Sequence, residues 1–62
     1  MLDYDVVIYE KKTKKVEAVI GVNLDMRHAE KRQATGWMRV NKDYGVRIVG
    51  HDPAIKQGYV LV

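Results

Sequence analysis

Val16-Glu17-Ala18-Val19-Ile20-Gly21-Val22 runs directly into Asn23-Leu24-Asp25-Met26-Arg27-His28-Ala29-Glu30-Lys31-Arg32-Gln33-Ala34-Thr35-Gly36, and the spacing of apolar residues changes between the two. In the first segment Val16, Ala18, Ile20 and Val22 alternate with other residues, which is the period of a strand with one inner face. Gly21 marks a bulge or an exit bend within it. From Asp25 onward the spacing is helical. At about 100° per residue, Met26, Ala29, Gln33 and Trp37 share one side, and Arg27, His28, Lys31 and Arg32 share the other. The Asp25 carboxylate is placed to cap the helix, with Asn23 as the competing cap, and Gly36 is placed to close it in a left-handed conformation. The inner side is narrow and built from small residues, so the helix is expected to lie close against a sheet.

On the N-terminal side, Tyr4-Asp5-Val6-Val7-Ile8-Tyr9-Glu10 sets Tyr4, Val6 and Ile8 on one face of a strand and Asp5, Val7 and Tyr9 on the other. Lys11-Lys12-Thr13-Lys14-Lys15 lacks the Asn-Gly or Gly pair of a tight two-residue turn, so a longer solvated hairpin loop is predicted. On the C-terminal side, Trp37 to Val40 leads into a turn at Asn41-Lys42-Asp43. Tyr44 to Val49 alternates again, with Tyr44, Val46 and Ile48 inward. His51-Asp52-Pro53 is a turn, because the residue before proline avoids helical geometry. Tyr59 to Val62 is a last apolar strand or a tail that pairs with another chain. The order predicts an α+β fold, ββαβ with a possible further strand: an antiparallel sheet packed against one short helix in a single domain, residues 1–62.

A chain of 62 residues without Cys has neither disulfides nor thiolate metal sites to support it. Its stability must come from apolar burial, and the hydrophobic fraction of 47% is enough for a core. Self-association as a homodimer would help a domain of this size. No apolar run approaches the roughly 20 residues of a membrane span, so an intracellular, cytoplasmic protein with no membrane association is expected. The net charge of +3 comes from 11 Lys and Arg set against 8 acids, a balance that permits contact with nucleic acid or an acidic protein surface.

Ala29-Glu30-Lys31-Arg32, followed by Thr35-Gly36-Trp37-Met38-Arg39-Val40-Asn41-Lys42-Asp43-Tyr44-Gly45-Val46-Arg47-Ile48-Val49, resembles small proteins encoded by bacteriophages and prophages. These run from a hairpin into an Ala-Glu-basic helix, then a Gly-apolar-x-x-Asn segment, then a Tyr-containing strand ending Ile-Val. The resemblance covers about half the chain. It implies a phage accessory protein acting on host machinery inside a bacterial cell, a class that includes inhibitors of bacterial defence such as anti-CRISPR proteins. The lysine-rich hairpin tip and the C-terminal Gly58-Tyr59-Val60-Leu61-Val62 depart from that pattern, and it carries no assigned site residues.

Catalysis finds little support. Without Ser or Cys, acyl-transfer triads on those nucleophiles are excluded, and Thr13 and Thr35 have no histidine nearby in sequence. Glycines 21, 36, 45, 50 and 58 are too scattered for a phosphate loop. His28 and His51, even with Asp25 and Asp52, lack a metal-ligand spacing, and neither a metal nor a cofactor is expected. Asp3 and Asp5, at the start of a strand, are expected to be solvated. A non-enzymatic binding module remains.

Two surfaces are candidates for its contact. Arg27, His28, Lys31 and Arg32 form a basic arc on the helix, and with Trp37 and Arg39 they are the candidate partner-binding residues for a host protein or protein–nucleic-acid complex. The alternative is a nucleic-acid-binding module in which Lys11, Lys12, Lys14 and Lys15 join Arg27 and Lys31 along a phosphate backbone, with Tyr9 as a stacking platform. Each feature also has a purely structural explanation. Positive charge at Lys31 and Arg32 would favour the dipole at the helix end by roughly 0.3–1 kcal/mol each, hairpin lysines keep edges unpaired, and Trp37, the single tryptophan, is expected in the core.

Overall fold

Tyr4–Glu10 forms the central strand, β1, of a three-stranded antiparallel sheet in a computed structural model that describes residues 3–61. Val16–Leu24 (β2) and Tyr44–Gly50 (β3) flank it in the order β2-β1-β3, and the helix α1 spans Met26–Trp37. The α+β class and the ββαβ order agree with the sequence expectation.

Because β1 carries apolar side chains on both faces, each face nucleates its own core. Val6 packs with Ala29 of α1 and Val46 of β3, surrounded by Tyr4, Ile8, Ile20, Leu24, Val40 and Ile48. On the opposite face Val7 packs with Val16 and Leu61, and Val49, Ile55 and Tyr59 close around them. The segment after β3 therefore does for one face what α1 does for the other. It is not a strand. A single bridge joins Val60 to Lys15, with Gly58 N–H donating to the Val16 carbonyl and Val16 N–H to that of Tyr59. The tail expected to pair with another chain thus folds onto its own, and Val62 lies outside the described residues.

Bulges alter the faces of β2. Its register against β1 shifts three times, so Val16 opposes Tyr9 on the tail-covered face while Ile20 packs on the helix face. Val22, expected inside with Val16, Ala18 and Ile20, is exposed. β3 pairs with β1 in unbroken register from Tyr4 opposite Gly50 to Glu10 opposite Tyr44, which leaves Tyr44 on the helix face as expected.

Asp25 caps α1, its carboxylate accepting from the His28 N–H at 2.8 Å. Asn23, the competing cap, instead takes a left-handed conformation (φ 56°) at the end of β2. Gly36 does not end the helix, which continues through Trp37. It is buried against the sheet, and a Cβ there would lie 2.8 Å from Ile20 and 3.1 Å from Val46. Its role is close approach. The buried side of α1 is centred on Ala29 and Gly36, and Trp37, about 100° further round the helix than Gly36, is turned off the sheet: Trp37 is 46% exposed, and Met26, the other large residue expected on the inner side, is exposed too. Ala29, Gln33 and Gly36 form the inner face instead.

Candidate interaction surface

The hairpin loop and the end of α1 meet at one corner of the molecule. Glu10 N–H donates to the Lys15 carbonyl, and Lys14 closes the loop between them in a left-handed conformation (φ 61°). Thr13 Oγ1 donates to the Glu10 carboxylate at 2.7 Å. Lys11 N–H continues the β1–β3 ladder by donating to the Asp43 carbonyl at 3.0 Å. This pairing brings the turn before β3 alongside the lysine loop, and the Asn41 side chain fixes that turn by accepting the Asp43 N–H. A groove of about 410 Å³ results, lined by Glu10, Lys11, Lys12, Lys42, Asp43 and Tyr44.

Trp37 stands next to it. The Lys11 ammonium lies 5.7 Å from the centre of the Trp37 ring, near enough for a cation–π attraction. Met38, the residue after the helix, is 87% exposed. On the other side of this helix end a second groove, of about 380 Å³, runs between α1 and the sheet. Ile8, Ile20 and Gly36 give it apolar walls, and Arg32, Thr35 and Arg39 give it polar ones. The Arg32 guanidinium is held in place by donating to the Ile20 carbonyl at 2.8 Å, at the residue that the β2 bulge leaves unpaired. The corner therefore combines exposed apolar side chains, fixed cations on both flanks and two concave surfaces.

The basic arc on the helix is arranged differently. Arg27, His28 and Lys31 are exposed, but His28 is turned back to the N-cap, with its Nδ1 2.8 Å from the Asp25 carboxylate. The His28 backbone N–H, then its ring, hold the Asp25 carboxyl below its ordinary value, with smaller help from the positive charges of His28 and Arg27. Lys31 and Arg32 lie more than a turn before the end of α1, and its last turn carries no basic residue. The dipole does not account for them.

Among the residues singled out from sequence, Trp37, Arg39, Lys11 and Lys12 thus converge on one corner, and Arg32 reaches it through the second groove. Arg27, His28 and Lys31 lie apart along the helix, and Lys14 and Lys15 are exposed in the loop, Lys15 being held by the tail bridge. Lys42 joins the corner as well. Only the long-range pairing of Lys11 with Asp43 could have announced it.

Asp5 is the residue whose setting differs most from expectation. It is 2% exposed rather than solvated, and its carboxylate accepts from the Asn23 N–H at 3.0 Å and faces His51 Nδ1 at 3.0 Å. The dyad ties β2 and the end of β3 to the central strand. Neither threonine is placed beside it: Thr13 is in the hairpin loop, and Thr35 Oγ1 donates to the Lys31 carbonyl.

Tyr9, the candidate stacking platform, and Tyr44 are separated by the sheet. Tyr9 opposes Gly45 and Tyr44 opposes Glu10, so they lie on opposite faces. The Tyr9 ring lies against the Gly45 backbone and under the Arg47 guanidinium, 5.0 Å from its centre. Among the described residues no helix is long and apolar enough to cross a membrane. Comparison of the chain with protein-family models, curated proteins and solved structures found no match.

Proposed function

We propose that this chain is a non-enzymatic binding module whose contact surface is the corner formed by Trp37, Met38 and Arg39 with Lys11, Lys12 and Lys42. The observation that carries the proposal is the exposure of Trp37 and Met38 together in a chain with few large side chains to spare for its cores. Trp, Met and Arg are the residue types enriched at interface centres, where desolvation of an aromatic anchor concentrates the binding energy. The partner is a protein that presents an apolar side chain among carboxylates. Such a side chain would cover Trp37 and Met38, and the flanking cations would pair with its acids.

A protein is favoured over nucleic acid for two reasons. Glu10 and Asp43 line the same groove as the three lysines and interrupt a positive field that phosphates would need. Tyr9 and Tyr44 also offer no shared stacking platform, since they lie on opposite faces. The resemblance of residues 29–49 to phage-encoded proteins supports a host complex as the target, and occlusion of a host surface as the mode of action, of the kind found in anti-CRISPR inhibitors.

The test is capture of partners from a bacterial lysate by the tagged chain, with and without nuclease, beside the Trp37→Ala/Met38→Ser variant. The proposal expects a protein that survives nuclease and is lost with the variant. Loss of every partner on nuclease treatment would instead favour the lysine loop and a nucleic-acid ligand.

A further inference from the structure

We infer that the free edge of β3 is a self-complementary pairing surface, through which two copies of this chain join their sheets into one across a two-fold axis. The inference is independent of the proposed corner and begins with the phase of the β1–β3 ladder. Lys11 N–H donates to the Asp43 carbonyl at one end and His51 N–H to the Asp3 carbonyl at the other. Backbone groups alternate in direction along a strand, so the odd-numbered residues of β3 face β1 and Tyr44, Val46, Ile48 and Gly50 face outward. Two of these outward groups are used: Tyr44 N–H donates to the Asn41 carbonyl, and the Val46 carbonyl accepts from Gln33 Nε2 at 3.1 Å. The Val46 N–H, both groups of Ile48 and those of Gly50 have no partner among the described residues.

The other edge of the sheet is interrupted. On β2 both backbone groups of Val16 are bonded to the tail, the Ile20 carbonyl accepts from Arg32, and the Asn23 N–H donates to Asp5. Three register shifts further disrupt that edge. By contrast β3 is unbulged, carries no proline, and reads Tyr-Gly-Val-Arg-Ile-Val-Gly, a composition that pairs rather than repels. With β3 as the continuous open edge and β2 broken by bulges and the tail, pairing of β3 with β3 is isologous and closes as a two-fold dimer.

The occupant follows from symmetry and charge. An antiparallel pairing centred on Ile48 lets each Ile48 N–H donate to the other copy's Ile48 carbonyl, and it sets Val46 opposite Gly50 and Arg47 opposite Val49. The Val46 carbonyl has a second lone pair for the Gly50 N–H besides the one that Gln33 uses. Centring on Arg47 instead would place two guanidinium groups directly opposite each other, which is unfavourable. Arg47 is already drawn over Tyr9 and away from the edge. The half-buried Ile48 and Val49 would lose more of their water on opposite faces of the joined sheet.

The experiment is sedimentation equilibrium between about 10 μM and 1 mM, a range suited to a weak edge contact, together with amide exchange at Arg47 and Ile48. The expected result is a mass that rises toward twice the monomer's. Exchange at Ile48 should slow about tenfold or more with concentration, while Arg47 is protected throughout. Gly50→Pro removes an outward N–H at a position where an added Cβ meets nothing, so it should abolish association while leaving the β1–β3 ladder intact. If that variant fails to fold, the concentration dependence of Ile48 exchange in the parent chain decides. A monomer at every concentration, or a dimer in which Ile48 stays as exchangeable as in dilute solution, overturns the inference.

Discussion

Gly36 meets two opposing demands. Alanine would suit the helix better by about 1 kcal/mol, yet its methyl would press on Ile20 Cδ1 and on both methyls of buried Val46. Ile20 can yield at its flexible end. Val46 is β-branched and held in the core, so overpacking of about 1–3 kcal/mol outweighs the propensity gain. Gly36→Ala should therefore destabilise the fold by about 1 kcal/mol in urea unfolding, and a more stable protein would show that α1 does not approach the sheet this closely. Asp25 gives a second residue-level test. Its carboxyl is held below the ordinary range chiefly by the His28 backbone N–H, then by the His28 ring. A depressed carboxyl contributes stability in full above its unfolded pKa and loses it as pH falls through the folded one. Acid titration followed by NMR should place the Asp25 midpoint below that of an unstructured aspartate, with the first turn of α1 fraying as it protonates. Asp25→Asn should retain the cap and lose the acid dependence.

At the scale of elements, the tail is the feature to test. Leu61 is one of three buried residues in the core beneath the sheet, against Val7 and Val16. Leu61→Ala should cost about 2–4 kcal/mol, a large share of the stability of so small a domain, and should show as a lower urea midpoint with an unchanged slope. A neutral effect would mean that the tail is not docked. The strands, the helix and its Asp25 cap are legible in the sequence because period and capping chemistry are local. Tail docking is not legible, since nothing in Tyr59 to Leu61 tells a strand from a segment that lies over a core. The doubled core of β1 is only half legible: alternation gives Val6 and Val7 opposite faces, but the cover over Val7 includes Tyr59 and Leu61, more than fifty positions away. Asp5 escapes for the same reason, because its partners Asn23 and His51 arrive through a bulge and a distant strand end. Local logic misplaces Trp37. Extending the helical projection past Gly36 points it inward, and only the close packing of Gly36 turns it out.

For the molecule as a whole, the cores are built from Val, Ile, Ala and Leu on β1 and its neighbours, while the single Trp stays at the surface beside the lysine loop. A small domain that leaves its largest apolar side chain half in water gives up burial that it could use for stability. Binding recovers that burial. Because the chain has one tryptophan, its fluorescence reports this corner alone. The decisive measurement is acrylamide quenching of Trp37 in the free chain and in complex with the nuclease-resistant partner. The corner model predicts ready quenching when free, and in the complex a blue-shifted emission shielded from quencher. A complex in which Trp37 remains as quenchable as in the free chain would contradict it and move the contact surface elsewhere.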